Sequence, residues 1–355
     1  MVLVHMQQPC LSINLGVIEE NTRKLVRLCN NKGVIPVGIS RLVEGSEPIA
    51  RAMMIGGITT IGDTQVRNLM KLKDLPIRKM LLRRPLLSEV DDVVHHADIS
   101  LHSNREVLMA LSQAAVKANK RHEVIIMHDL DGGEEEGFDS SHTETLAELV
   151  LSLPGLTFVG IGSHLACYGD VETQFSIDED YDEWASYHKL EAISGTGIAG
   201  IVLMMPRKDE PRLNQLRLGR SLIMGIGLND TAIPGMPQAA MKLKAEVVEV
   251  KEKSSIFVYS INAEHCNDDL HFNNRGVRLR ALCAIGKQHI DVSQLTPVDD
   301  GIMVIGATKN ALILDITDAN RRYQEGDTMS FYLSYSGVLQ CMASEEVAKQ
   351  YYFSS

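Results

Sequence analysis

Two apolar rhythms alternate along the first two-thirds of the chain. Short, nearly continuous apolar runs occur at Val34–Ile39, Ile58–Ile61, Lys79–Leu82, Asp98–Leu101, Glu123–Met127, Leu156–Ile161, Leu190–Ile193 and Gln215–Leu218. Runs of this kind predict strands covered on both faces. Between them lie stretches with apolar residues at helical spacing. Val17, Asn21, Leu25 and Leu28 form one stripe, stopped at Gly33, and Pro48–Ile55, Gln65–Leu72, Leu87–Val94 and Thr143–Leu151 follow. Ser103, with Glu106 three residues on, reads as the capping box of a further long helix.

After Ile233-Pro234-Gly235 the rhythm becomes strict alternation. Met241–Val250, Val277–Ile285, Ala311–Ile316 and Met329–Leu333 read as strands, with turn formers such as Asn273-Asn274 and Gly326-Asp327 between them. Strands and helices in alternation predict parallel βα units. Eight of them within a stretch of this length favour closure over an open sheet. The expected fold is therefore α/β: a (β/α)8 TIM-type barrel over residues 1–233, then a C-terminal β-domain over 234–355. The alternating segment Leu11–Leu15 precedes the first helix and is a candidate to join the β-domain.

Composition narrows the function classes. The formal net charge of −11 lacks the basic footprint of a general nucleic-acid binder and disfavours anionic membranes. Six cysteines without a C-x-x-C spacing suit reduced thiols rather than a disulfide frame or a zinc site. No apolar run is long enough to span a bilayer, and the N-terminal residues lack the pattern of a signal peptide. A cytoplasmic location is expected.

Chemistry in parallel α/β folds gathers at the C-terminal ends of strands. The residues expected there are Arg41, His128-Asp129 with the DLDGGEEEG loop, Ser163-His164, Ser194-Gly195-Thr196-Gly197, and Arg217 with Gly219. The small residues of SGTGIAG could wrap a phosphate with backbone N–H groups. Arg217 cannot lose its proton, so beside a ring nitrogen it would keep that nitrogen unprotonated. Each alone is an ordinary loop residue; the convergence carries the signal.

Several strings resemble one family. LSINLGVIEENTRKLVRLCN, IGDTQVRNLMKLKDL, LLSEVDDVVHHADISLHS, GIGSHLACYGD, LRLGRSLIMG, RALCAIGKQHIDVSQLTPVDDGIMVIGATKNALILDITD and YLSYSGVLQ are similar to the alanine/ornithine racemase type of pyridoxal-phosphate enzyme. The ornithine-racemase subgroup looks nearest. The resemblance implies an amino-acid racemase exchanging an α-proton on a basic amino acid such as ornithine, or on alanine. It also implies pyridoxal 5'-phosphate as cofactor and a homodimer. His164 takes the place of the histidine on the pyridine ring, and Arg217 that of the arginine facing the pyridine nitrogen. Ser194, Gly195, Thr196 and Gly219 fall in the phosphate segments, and Tyr335 matches the tyrosine that touches the phosphate. Glu264 and His265 are candidates for the base carried by the β-domain.

Two positions depart from the family. Arg41 stands where the family carries the lysine bonded to the cofactor, and a guanidinium offers no amine for that bond. The loop after the fifth barrel strand carries Asp129 and Glu134–Glu136 where an arginine would meet a substrate carboxylate. These departures keep two alternatives open. One is a degenerate relative that holds pyridoxal phosphate, or another phosphorylated ligand, without a covalent bond, Arg41 meeting an anion or Glu135. The other is a metal-dependent enzyme using the Asp129–Glu136 carboxylates, which suit hard cations. No metal set of standard spacing is present, so no metal ligand is assigned.

Overall fold

The computed structural model describes residues 9–31, 33–127, 140–162, 192–196, 214–227, 231–254 and 275–353, with the backbone alone for 140, 141 and 192–196. It divides into two compact units, Ile18–Gln238 and a second made of Met1–Val17 with Ala239–Ser355.

The first unit is a closed barrel of eight parallel strands, as the sequence predicts. These are β2 (Ile35–Ile39), β3 (Thr60–Asp63), β4 (Arg78–Leu81), β5 (Ile99–His102), β6 (His122–Met127), β7 (Leu156–Gly162), β8 (Ala192–Thr196) and β9 (Gln215–Leu218). The ring closes where β2 pairs with β9, with Val37 opposite Arg217. Alternation along the strands sorts the core into two layers. Val37, Met80, Leu82, Ile99, Leu101, Ile125, Met127 and Val159 fill the barrel interior. Leu81, Val124 and Ile126 face outward against helices and pack with Leu69, Val93, Leu108, Leu111, Leu146 and Val150. Truncating one such leucine to alanine costs about 2–5 kcal/mol, because the surroundings collapse only in part.

Helices α1 (Leu15–Asn30), α2 (Glu47–Ile55), α3 (Val66–Lys71), α4 (Val90–His96), α5 (Arg105–Lys117) and α6 (Ser140–Ser152) precede the strands from β2 to β7, one each, and α7 (Arg220–Met224) follows β9. The buried stripe of α1 is Ile18, Asn21, Thr22, Leu25 and Cys29, whereas Leu28, placed on the stripe by the sequence, is 39% exposed. The i, i+3, i+4 row that begins at Ile18 wins because it also seats the buried polar pair Asn21 and Thr22. Asn21 donates to Pro237 O at 2.9 Å and Thr22 to Ile18 O at 2.7 Å. The cap of α5 also differs from expectation. Asn104, not Ser103, is the N-cap, and its side chain accepts from Val107 N at 3.0 Å. Asn caps as well as Ser, and the extra strand-like residue leaves Ser103 buried. Strand β8 runs two residues later than the expected Leu190–Ile193, ending at Thr196.

The second unit is the β-domain. β10 (Met241–Ser254), β11 (Val277–Cys283), β12 (Leu295–Pro297), β13 (Met303–Ala307), β14 (Leu312–Asp315) and β15 (Thr328–Leu333) lie in the order β12-β15-β10-β11-β14-β13. β1 (Cys10–Asn14) pairs antiparallel with β10 and parallel with β16 (Ala348–Tyr352). The long β10 changes partner from β15 to β11, and a register shift between Val247 and Glu249 leaves Val248 exposed. That is the mark of a β-bulge bending a strand. Helix α8 (Tyr335–Ala343) starts behind Ser334, which accepts from Gly337 N at 3.2 Å.

Candidate functional site

The barrel mouth collects the residues that follow each strand, and its two sides are built differently. Arg217 lies on β9, in register with the inward-facing Val37, and is fully buried. A guanidinium is placed in such an interior only where the surroundings compensate its desolvation. Gly219 follows two residues later. It has a negative φ, and a Cβ there would meet Ile39 at an ordinary 3.4 Å. Packing among the described residues therefore does not demand glycine at that position.

After the neighbouring strand β2, Arg41 opens a short 3-10 turn, Arg41–Val43, and is exposed. The turn beneath it is held by a buried polar cluster. Ser40 Oγ donates to Asp63 Oδ2 at 2.7 Å, and Ser40 N–H donates to Gly62 O at 2.9 Å. Asp63 Oδ1 accepts from Gln65 N at 2.8 Å and Asn68 Nδ2 at 3.2 Å. Burial raises the Asp63 carboxyl above the usual range, opposed by these hydrogen bonds from Ser40, Gln65 and Asn68. Lys71 Nζ closes the cluster from outside, on Glu44 O at 2.6 Å and Asn68 Oδ1 at 3.1 Å. Glu44 and Gly45 both turn left-handed, at φ 51 and 64, and a Cβ on Gly45 would sit 2.7 Å from Asn68 O. Glycine is required there on both counts.

The remaining described mouth residues add one cation and one hydroxyl. Arg83, after β4, donates through Nε to Thr64 O at 2.7 Å and through Nη2 to both carboxylate oxygens of Glu89 at 2.8 Å. Ser103, after β5, continues the inward side of that strand. Its hydroxyl is buried and meets no hydrogen-bond partner among the described residues. The sequence missed this role, since Ser103 read as a helix cap. It also missed Asp63, whose IGDTQ context reads as a turn until the fold closes over it.

Other expected site residues are placed less fully. Ser194, Gly195 and Thr196 end β8, paired with Gln215, Leu216 and Arg217 of β9. That register sets the SGT segment beside Arg217 and Gly219. Tyr335 is the first residue of α8 in the other unit and is half-buried. His164, Asp129, Glu135, Glu264 and His265 lie outside the described residues. No group of three or more His, Cys, Asp or Glu suited to a metal occurs among the described residues.

Pyridoxal phosphate fits this mouth in one respect and not in another. Arg217 presents a permanently charged donor from a dry interior, as a ring nitrogen kept unprotonated requires. Among the described residues no covalent anchor is seen: no described barrel strand ends in a lysine, and Arg41 fills the position after β2. The described lysines of this unit are Lys24, Lys71, Lys73, Lys79, Lys117 and Lys120, carried by helices, by turns before strands, or by the start of β4.

Comparison with known proteins agrees with the fold. The family model "Alanine racemase, N-terminal domain" matches residues 13–224. An ornithine racemase of Acetoanaerobium sticklandii is 32% identical over 352 residues, covering 96% of this chain and 99% of that protein. A lysine racemase of Thermotoga maritima is 31% identical over 356 residues, covering 98% and 99%. Among solved structures, alanine racemase from Bartonella henselae with covalently bound pyridoxal phosphate superposes with a TM-score of 0.73 at 18% identity, over 97% and 99% of the two chains. The chain belongs to the alanine racemase N-terminal domain family.

Proposed function

We infer that this protein is a pyridoxal-phosphate-dependent amino-acid racemase acting on a basic amino acid. The observation that carries the reading is the near-complete, 31–32% likeness to an ornithine and a lysine racemase.

Bound at the mouth, the cofactor supplies an electron sink that makes the α-hydrogen of an amino acid removable. Arg217 would keep the ring nitrogen unprotonated and His164 would serve the ring. Ser194, Gly195, Thr196, Gly219 and Tyr335 are the residues that would hold the phosphate. Glu264 and His265 are the candidate groups for moving the α-proton. The Ser40–Asp63–Asn68 cluster fixes the turn bearing Arg41, so that side of the mouth keeps its shape. The protein acts as a cytoplasmic homodimer in this reading. No described helix is long and apolar enough to cross a membrane.

The test is incubation with L-ornithine, L-lysine or L-alanine and pyridoxal phosphate in deuterated water. Enantiomers are separated by chiral chromatography and α-deuterium is read by mass spectrometry. Ornithine or lysine should lose optical purity and gain α-deuterium faster than with free cofactor. Rates equal to the free-cofactor background for all three amino acids overturn the reading.

A further inference from the structure

We propose that this protein holds pyridoxal phosphate reversibly, with no covalent bond to the barrel-strand ends among the described residues, because Arg41 occupies the position after β2. The inference rests on the cofactor assignment above but concerns how the cofactor is retained.

A covalent anchor needs an amine that can shed its proton and reach the cofactor aldehyde. Arginine fails on chemistry: its nitrogen lone pairs are delocalised, and the group stays protonated above pH 12. The described lysines fail on placement. Lys79 Nζ is spent on Leu75 O and Ile77 O, at 3.1 and 3.0 Å, beside the start of β4. Lys120 Nζ lies on Val94 O and His95 O, at 3.2 and 3.1 Å, just before β6 begins. Lys24 Nζ donates to Gly235 O at 2.7 Å, and Lys71 is held by Glu44 and Asn68. None of these follows a strand, which is where a barrel mouth draws its chemistry. The non-covalent side of the site is nevertheless built, with Arg217 fully buried and the end of β8 in register beside it. The mouth thus recognises the cofactor without tethering it.

The turn that bears Arg41 would accept the missing amine. Its cluster engages Ser40, Glu44, Gly45, Asp63, Asn68 and Lys71 but not the exposed Arg41 side chain, so R41K should fold like the parent. In that variant the lysine amine adds to the cofactor aldehyde and water leaves, forming a C=N bond. Borohydride then adds hydride to its carbon and fixes the cofactor as a secondary amine.

The experiment treats the parent and R41K with pyridoxal phosphate. One portion of each is reduced with borohydride and peptide-mapped by mass spectrometry. Another is passed through equilibrium dialysis, with thermal melts to confirm folding. The proposal expects saturable, dialysable cofactor and no pyridoxyl-peptide in the parent, against a pyridoxyl adduct at position 41 in R41K. A reduced adduct at a single lysine of the parent, Lys32, Lys189 and Lys208 included, overturns it while sparing the cofactor assignment. Absence of saturable binding in the parent with an adduct in R41K also overturns it and leaves the cofactor site intact. Neither binding nor adduct in either protein overturns both readings together.

Discussion

Arg217 on β9 and Arg41, in the turn after the adjacent strand β2, stand in one barrel under opposite conditions. Arg217 is enclosed inside β9, opposite Val37; Arg41 sits in the open, one residue past the buried Ser40. A buried guanidinium is costly to keep, so the surrounding fold is arranged around Arg217. The exposed one costs almost nothing, and the scaffold beneath it is indifferent to which long cationic side chain it carries. The difference locates the unusual feature of this protein. The guanidinium on β9 is built into the core, and the one after β2 stands clear of the cluster that holds its turn.

The largest expected effect comes from restoring an amine to the exposed side. R41K should raise cofactor-dependent α-deuterium exchange by about 100-fold or more, the scale of a gained acid–base group. An unchanged rate, in a protein that does acquire the adduct, would mean that position 41 takes no part in proton transfer. Next comes the enclosed side. R217A should cost on the order of 3 kcal/mol in urea unfolding, from the cavity and the groups left behind, and should weaken cofactor binding. By contrast, R41A should shift stability by no more than about 0.5 kcal/mol. Comparable losses for the two alanine variants would erase the distinction drawn between them.

Between these extremes lies the pedestal under Arg41. G45A should destabilise by about 2 kcal/mol, since it adds backbone strain at positive φ to a clash with Asn68. A thermal melt identical to that of the parent would show the turn to be plastic.

An effect that is silent at neutral pH and grows only in acid belongs to the opposite wall of the barrel. Ser100 Oγ bridges His102 Nε2 at 2.7 Å and His122 Nε2 at 2.6 Å, all three side chains buried. A His122 ring nitrogen donating to the Ala97 carbonyl leaves its Nε2 to accept from Ser100, so His102 Nε2–H donates to the hydroxyl. Burial pushes His102 down to about 3 and His122 down to about 4, both from 6.5. The folded rings stay neutral while the unfolded ones take up protons. Stability from this pair is therefore complete above pH 6.5 and lost as pH falls toward 4. Each ring contributes a slope of about 1.4 kcal/mol per pH unit. Urea midpoints for H122N across that window should show a slope smaller by one proton, and an unaltered slope would refute the neutral pair.

What could be read from the sequence followed burial pattern. Gln215–Leu218 and Glu123–Met127 stand out because strands of a closed barrel are covered on both faces. β16, reading AKQYY, is too polar to announce itself; its existence depends on β1 arriving beside it. Helix α8 hides behind a strand-like YLSYS, and only the Ser334 cap separates the two. The placement of Arg41 and Gly219 just past strand ends was legible in the sequence, whereas Arg217 lies within β9 rather than after it. Asp63 and Ser103 were not legible, because nothing local distinguishes a buried polar residue from one in a solvated turn. Their character is conferred by what folds over them.

The pairing of β1 has a bearing on how the chain is made. Leu11 and Ile13 are fully buried, against partners on β10 and β16 that follow the entire barrel in sequence. During synthesis the barrel can close while this apolar strand still waits for its neighbours. The waiting strand is then a natural ligand for chaperones, and a ribosome stalled before Met241 would release a closed barrel with a sticky, unpaired end.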